Sequence, residues 1–244
     1  MNQENEHPRL SVVVPAYNEA ERLPATIEDA YSWLLENFAD GFELIVVDDG
    51  SHDATVEKTM AMQEERPHLK LVRQLKNHGK GAAVRRGMQA ARGEIRLFMD
   101  ADHSTHIRET VKVLQAVEDG AEVVIASRQH PESDISVSQS WLRENMGKGF
   151  NFLMRSLVGL KMEDTQCGFK AFTANAADAI FPIQKLDGFS FDVELLYLAS
   201  RLGFNTVEIP VEWINEPNSR VRMLADPALM FADIMRIRKL HKDL

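Results

Sequence analysis

Asp100-Ala101-Asp102 places two carboxylates one residue apart, directly after the apolar run Leu97-Phe98-Met99. Hard carboxylate oxygens at that spacing suit Mg2+ or Mn2+, ions that keep several waters and bridge substrate phosphates. Capping and turn formation are the commoner roles of a lone Asp-x-Asp, so its position after a buried strand is what favours metal binding. His103 and His106 raise the thought of zinc, but exposed histidines in the first turn of a helix are the simpler reading. Three more polar clusters follow apolar runs: Pro15-Ala16-Tyr17-Asn18-Glu19, Asp48-Asp49-Gly50-Ser51 and Lys76-Asn77-His78-Gly79-Lys80-Gly81. Any one of them could be a cap or a turn. Four in succession, with acids, amides and a glycine-rich turn, point to one ligand-binding edge.

The elements that must carry these clusters are legible. Strands are expected at Leu10–Val14, Leu44–Val47, Leu69–Val72, Ile95–Met99 and Val123–Ala126. Helical patterns fill the intervals near Glu19–Asn37, Asp53–Glu65, Gly79–Ala91 and Thr105–Asp119, with starts signalled by Ser51-His52-Asp53 and Ser104-Thr105. Continuous apolar strands alternating with helices predict an α/β fold, a mostly parallel sheet covered on both faces. In such sheets ligands bind beyond the carboxyl ends of the strands, which is where the polar clusters fall. The second half reads as a helix over Trp141–Leu160, a strand over Gly168–Thr173, a helix over Phe189–Leu202, a strand over Thr206–Trp213 and a closing helix over Ala225–Leu240. Without repeats or a linker, a single domain over 1–244 is expected, its residues 128–244 completing the site begun by 1–127.

Other chemistries fail on spacing. Val84 occupies the third glycine position of a dinucleotide fingerprint begun by Gly79-Lys80-Gly81. Neither a phosphate-binding loop ending in Gly-Lys-Ser/Thr nor a Gly-x-Ser-x-Gly nucleophile elbow is present, and Cys167 reads as a small packing residue.

The chain of 244 residues carries a formal charge of −9, 44% hydrophobic residues and one cysteine. These values exclude a disordered chain, an internal disulfide, a cysteine-based zinc site and a general nucleic-acid binder. Met1–Arg9 is polar and acidic, unlike a secretory signal, and no apolar run reaches the ~20 residues that span a bilayer. A cytoplasmic protein is expected. The charge is uneven, however: Glu144 is the only acid between Trp141 and Lys161, and Arg220, Arg222, Arg236, Arg238, Lys239 and Lys242 crowd the end. Apolar residues at helical spacing accompany both basic segments, a pattern of core packing or of membrane-surface helices.

Taken together, the four clusters resemble the inverting glycosyltransferases of family 2, enzymes of the GT-A (Rossmann-like) fold. Asp164-Thr165-Gln166-Cys167-Gly168-Phe169-Lys170, Phe189-Ser190-Phe191-Asp192-Val193-Glu194 and Ile209-Pro210-Val211-Glu212-Trp213 narrow the resemblance to the group that glycosylates dolichyl phosphate. Within it the glucosyltransferases are the nearer match and the mannose synthases the next, since Ser104 stands where many mannose synthases have Gln. The similarity runs from about Leu10 to about Leu240.

That resemblance implies a metal-dependent hexosyltransferase using Mg2+ or Mn2+, with UDP-glucose the favoured donor and GDP-mannose the second. It places Pro15, Tyr17, Glu19 and Asp48 around the nucleoside and Lys76 and Lys80 beside the nucleotide. Asp100, Ala101 and Asp102 then meet the diphosphate and metal. Arg128 and Arg143 hold the acceptor phosphate, and Asp164, Gln166, Lys170 and Arg220 complete the sugar and acceptor region. Asp192 is a candidate catalytic residue. The expected partners are a nucleotide sugar, a polyprenyl phosphate and an anionic membrane surface at its cytoplasmic face, with a homo-oligomer left open and no nucleic acid. No counterpart to the N-terminal membrane segment of eukaryotic enzymes is expected within these 244 residues, so attachment is expected through the basic segments. Two alternatives stay open: transfer to a sugar hydroxyl with Asp192 or Glu194 as base, and nucleotide-sugar binding without turnover.

Overall fold

A computed structural model describes residues 7–38, 41–135, 159–160, 162–214 and 225–244. Its centre is a seven-stranded sheet in the order β3-β2-β1-β4-β7-β5-β8. The strands are β1 (Leu10–Ala16), β2 (Phe42–Asp49), β3 (Leu69–Gln74), β4 (Ile95–Met99), β5 (Val123–Ser127), β7 (Phe169–Thr173) and β8 (Thr206–Pro210). All neighbours run parallel except β7, which lies antiparallel between β4 and β5. A small parallel pair, β6 (Asp134–Ile135) with β9 (Glu212–Trp213), stands apart.

The β-branched runs give strands buried on both faces: every residue of β2, β4 and β5 is buried. Successive side chains alternate across the sheet and feed two cores. Val13, Ile45, Val47 and Phe98 face the helices α3 (Lys80–Ala90), α5 (Ala174–Ile180) and α6 (Phe191–Leu202). Val12, Val14, Leu44, Val46 and Met99 face α1 (Leu23–Phe38), with Val113 of α4 (Thr110–Glu118) in the same cluster. The remaining helices are α2 (Thr55–Glu64) and α7 (Ala225–Leu240).

β1 is flanked by β2 on one side and β4 on the other, so the chain reverses its direction of travel across the sheet there. That reversal opens a crevice at the carboxyl ends of β1 and β4. The strands and helices expected within the described residues form, several with ends moved by a few residues, while the helix expected over Trp141–Leu160 lies almost wholly outside them. Three local expectations change. Ser104-Thr105 does not start a helix: Ile214 N donates to Ser104 O at 2.9 Å, Thr105 bridges Trp213, and a 3-10 turn begins at Ile107. Thr206–Trp213 divides into β8 and β9, and α5 was not expected. Thr173 caps α5, its side chain accepting from Ala176 N at 3.3 Å.

Candidate functional site

Turn chemistry fixes the edge of the crevice beyond β1 and β2. Asn18, at a φ of 53°, donates its N–H to Ser51 Oγ at 2.8 Å and accepts on Oδ1 from His52 N at 2.8 Å. Asp48, only 1% exposed, accepts from Ser51 N at 3.2 Å. Asp49 reaches further, accepting from His78 N and Gly79 N at 2.8 Å each and from Gln74 Nε2 at 3.0 Å. Burial holds the Asp49 carboxyl above its ordinary range against those two backbone bonds. The second strand end is thereby tied to the glycine loop. Gly79 itself sits at a φ of 106°, and a Cβ there would press on the Asp187 carbonyl, so both conformation and space require glycine.

Of the expected nucleoside residues, Pro15 and Tyr17 are half-buried beside this turn. Glu19 is buried and grips Arg22 through two bonds of 2.6 and 2.7 Å. Lys76 is exposed on the loop beyond β3. Ala101 is buried, and its carbonyl accepts from Thr26 Oγ1 at 2.8 Å, fastening the acid turn to α1.

Asp100 opens the crevice at the end of β4. Lys80 Nζ, at the start of α3, lies 2.5 Å from its Oδ1. Burial and the Asp102 and Asp192 carboxylates hold Asp100 above the usual carboxylate range, against the pull of Lys80. For Lys80, burial lowers the pKa, but Asp100 and Asp192 outweigh it and keep the ammonium charged. Asp102 spends one oxygen on its own turn, accepting from Ser104 N at 3.1 Å. Carboxylate oxygens that already attract a cation are the hard donor set that Mg2+ or Mn2+ takes, so the pair fits such an ion.

Two ion pairs lie behind the acid pair. Arg128 follows β5 and is clamped by Asp164: Nε to Oδ2 at 2.7 Å, Nη2 to Oδ1 at 2.9 Å, and its backbone N–H to Oδ2 at 3.0 Å. The guanidinium lies over the Trp213 ring, 5.5 Å from the centroid. Burial would raise the Asp164 carboxyl, but Arg128 holds it well below its ordinary value. Deeper still, Lys170 is fully buried, with Nζ 2.5 Å from Asp192 Oδ1 and 2.6 Å from Cys167 O, beside the Phe98 ring. An ammonium so enclosed stands only with such partners, since desolvation costs several kcal/mol per ion.

These contacts correct four expectations. Asp164 and Lys170 do not line the crevice; both are fully buried and act on Arg128 and Asp192 from beneath. The Arg128 fork is already engaged by Asp164, so it can meet an anion with its remaining N–H groups, not as a free fork. Glu194 points away from the crevice, because a two-residue step on a helix turns a side chain to the other face. Its carboxylate accepts from Lys185 N and Leu186 N and meets His241 Nε2 at 2.6 Å. The histidines, finally, do not stand free on a helix: both rings face Asp29 of α1.

Gln166 is half-buried, its N–H donating to Asp164 Oδ1 at 3.3 Å. Arg143 and Arg220 lie outside the described residues. Cys167 packs as expected: burial, with Asp164 and Asp100 nearby, pushes its thiol up to about 12 and leaves it protonated and inert. Asp49, Gly168 and Trp213 belong to the site although sequence reasoning gave them no role there. Trp213 carried a signal, a large aromatic ending an apolar strand, but its partner lies 85 residues earlier.

A family model described as glycosyl transferase family 2 matches residues 11–181. The dolichyl-phosphate beta-glucosyltransferase of Dictyostelium discoideum is 37% identical over 240 residues, covering 94% of this chain and 73% of that protein. The human protein of the same name is 35% identical over 242 residues, covering 94% of this chain and 75% of its own length. Among solved structures, glucosyl-3-phosphoglycerate synthase from Mycobacterium tuberculosis, in complex with Mn2+, UDP and glucosyl-3-phosphoglycerate, superimposes with a TM-score of 0.70. It shares 21% identity, and the match covers 96% of this chain and 80% of that one.

Proposed function

The chain belongs to glycosyltransferase family 2, and from that premise we propose that it transfers glucose, with inversion, from UDP-glucose to a dolichyl or polyprenyl phosphate. The observation that carries the reading is the gathering of Asp100, Asp102, Lys80, Arg128 and Asp192 at neighbouring strand and helix ends.

In this reading the turns beyond β1 and β2 hold the nucleoside, with Tyr17 and Asp48 at the base. When bound to Asp100 and Asp102, a divalent cation supplies charge screening to the diphosphate as the nucleotide departs. Lys80, charged and reaching Asp100, adds a second positive group at the same place. Arg128, oriented by Asp164 and Trp213, faces the acceptor phosphate. That phosphate is mostly dianionic near neutral pH, with a second pKa of ~6, and attacks without a protein base. The bonding supports this: Asp192 is paired through Oδ1 with the buried Lys170, and Glu194 is turned away. A sugar-hydroxyl acceptor, which needs a base, is therefore the poorer fit.

No helix among the described residues is long and apolar enough to cross a membrane. The acceptor's phosphate would be met at the headgroup level of the cytoplasmic face. Arg236, Arg238 and Lys239 of α7 are exposed there as an anionic-surface contact, whereas Ile237 between them packs into the core.

The test pairs radiolabelled UDP-glucose and GDP-mannose with a short polyprenyl phosphate, with and without EDTA. Metal-dependent glucosyl transfer supports the assignment. Mannosyl transfer alone would reassign the donor, and tight UDP binding with no transfer from either would leave a binding protein.

A further inference from the structure

Asp29 on α1 and His103 and His106 on the turn beyond β4 bring three ligand atoms within 4.8 Å of one another. The Nδ1 atoms of both histidines lie 3.8 Å from the same oxygen, Asp29 Oδ2. That separation is too long for a hydrogen bond. It suits two ligands of one ion, each about 2.0–2.2 Å from it. His103 adopts a φ of 61°, in the left-handed region, and its Nε2 is enclosed without a hydrogen-bond partner among the described residues. The ring therefore meets polar chemistry through Nδ1 alone. The two rings touch edge to face, centroids 5.7 Å apart, and both bring Nδ1 to the same side of Asp29.

We propose that Asp29, His103 and His106 form a second metal site, distinct from the Asp100–Asp102 pair, that takes a zinc-class transition-metal ion. Two imidazoles and a carboxylate select Zn2+, Co2+ or Ni2+ over Mg2+, the reverse of the oxygen-only acid pair. The rings retain 25% and 26% side-chain exposure and Asp29 retains 47%, which leaves an entry path and a position for water. His103 directly follows Asp102, so an ion here fastens the acid turn to α1, as the Thr26–Ala101 bond does a few residues away. The site deepens no step of the proposed transfer; it holds the loop that carries the acid pair.

The full chain, stripped of metal and then saturated with Mg2+, is titrated with Co2+ and Zn2+ and followed by cobalt absorption and thermal unfolding. The wild type should bind one equivalent, show the absorption of a nitrogen-ligated cobalt ion, and gain Tm. His106→Ala and Asp29→Asn should each weaken binding roughly 100-fold and abolish the Tm gain, the upper end of what altering a metal's ligand environment does. Asp102→Asn should leave cobalt binding intact. Asp29 is exposed enough for its variant to fold even if His106→Ala does not. Binding unchanged in Asp29→Asn, loss of cobalt in Asp102→Asn, or no binding by the wild type would each overturn the proposal.

Discussion

Gly168 and the Asp100 carboxylate claim the same space. A Cβ built on Gly168 would lie 2.0 Å from Asp100 Oδ2, while the Gly168 carbonyl accepts the Asp100 N–H at 3.0 Å. Gly168→Ala should fold normally and displace the carboxylate that opens the crevice. A misplacement near 1 Å costs on the order of 10²-fold in rate. Steady-state transfer assays beside thermal unfolding decide it: full activity would show that the close approach is unimportant.

Asp102→Asn should lower kcat by about 10²–10³-fold, the scale of a lost metal contribution of several kcal/mol. Asp102 is half-buried and bonds only within its own turn among the contacts seen, so unfolding should be unaffected. Calorimetry of UDP binding with and without Mg2+ should lose its metal dependence. A variant that binds UDP as the wild type does would remove Asp102 from the site.

Arg128→Ala should raise the acceptor KM or cut kcat with little change in UDP affinity. It should also destabilise the fold by about 3 kcal/mol, because Asp164 is left buried without its partner. That figure takes the lower end of the range, since Arg128 is 31% exposed. Adding Asp164→Ala should restore part of the stability and none of the activity. Denaturant unfolding of the single and double variants separates the two effects, and additive losses would show that the pair is not coupled.

Acid should loosen the opposite end of the sheet. Glu43 on β2 accepts from Ser11 Oγ, Lys70 Nζ and Arg92 N at 2.6 Å each. Burial raises its pKa, but those three donors outweigh it and hold the carboxyl below its ordinary value. A depressed folded pKa contributes stability above the unfolded value, lost as pH falls through the folded one. Stability should thus fall below about pH 5, and Glu43→Gln should be weaker by about 2 kcal/mol near neutrality. Its loss on acidification should be shallower. Urea midpoints across pH 3–7 measure it; parallel profiles would clear Glu43 of the role.

Replacing Arg236, Arg238 and Lys239 with Gln should abolish co-sedimentation with anionic vesicles at low salt. Each basic residue near such a surface contributes about 1 kcal/mol, an attraction that salt screens. Sedimentation that persists in the variant or in high salt would place the membrane contact elsewhere.

The sheet was legible because β-branched runs such as Leu44–Val47 and Val123–Ala126 have no other stable home than a doubly covered strand. The acid pair was legible because it directly follows one of them. What stayed hidden depends on pairing across sequence. Asp164 and Arg128 are both visible as charges, yet only the fold turns one into the other's clamp. Position 192 faces the crevice and 194 faces His241 because α6 begins at Phe191, a boundary that composition blurs. Asp29 reads as one more acid on an exposed helix until the turn beyond β4 folds onto α1.

The antiparallel strand β7 carries one more consequence, for the order in which the molecule is made. In the described sheet β5 reaches β4 through β7, with β8 as its outer neighbour at the edge, and both leave the ribosome after it. Until Phe169–Thr173 emerges, β4 and β5 each present an open edge. Unpaired edges are templates for aggregation. A truncation after Ser127 should therefore aggregate and not fold as a nucleotide-binding fragment, and the nascent chain should stay in need of a holdase until its last third has been synthesised.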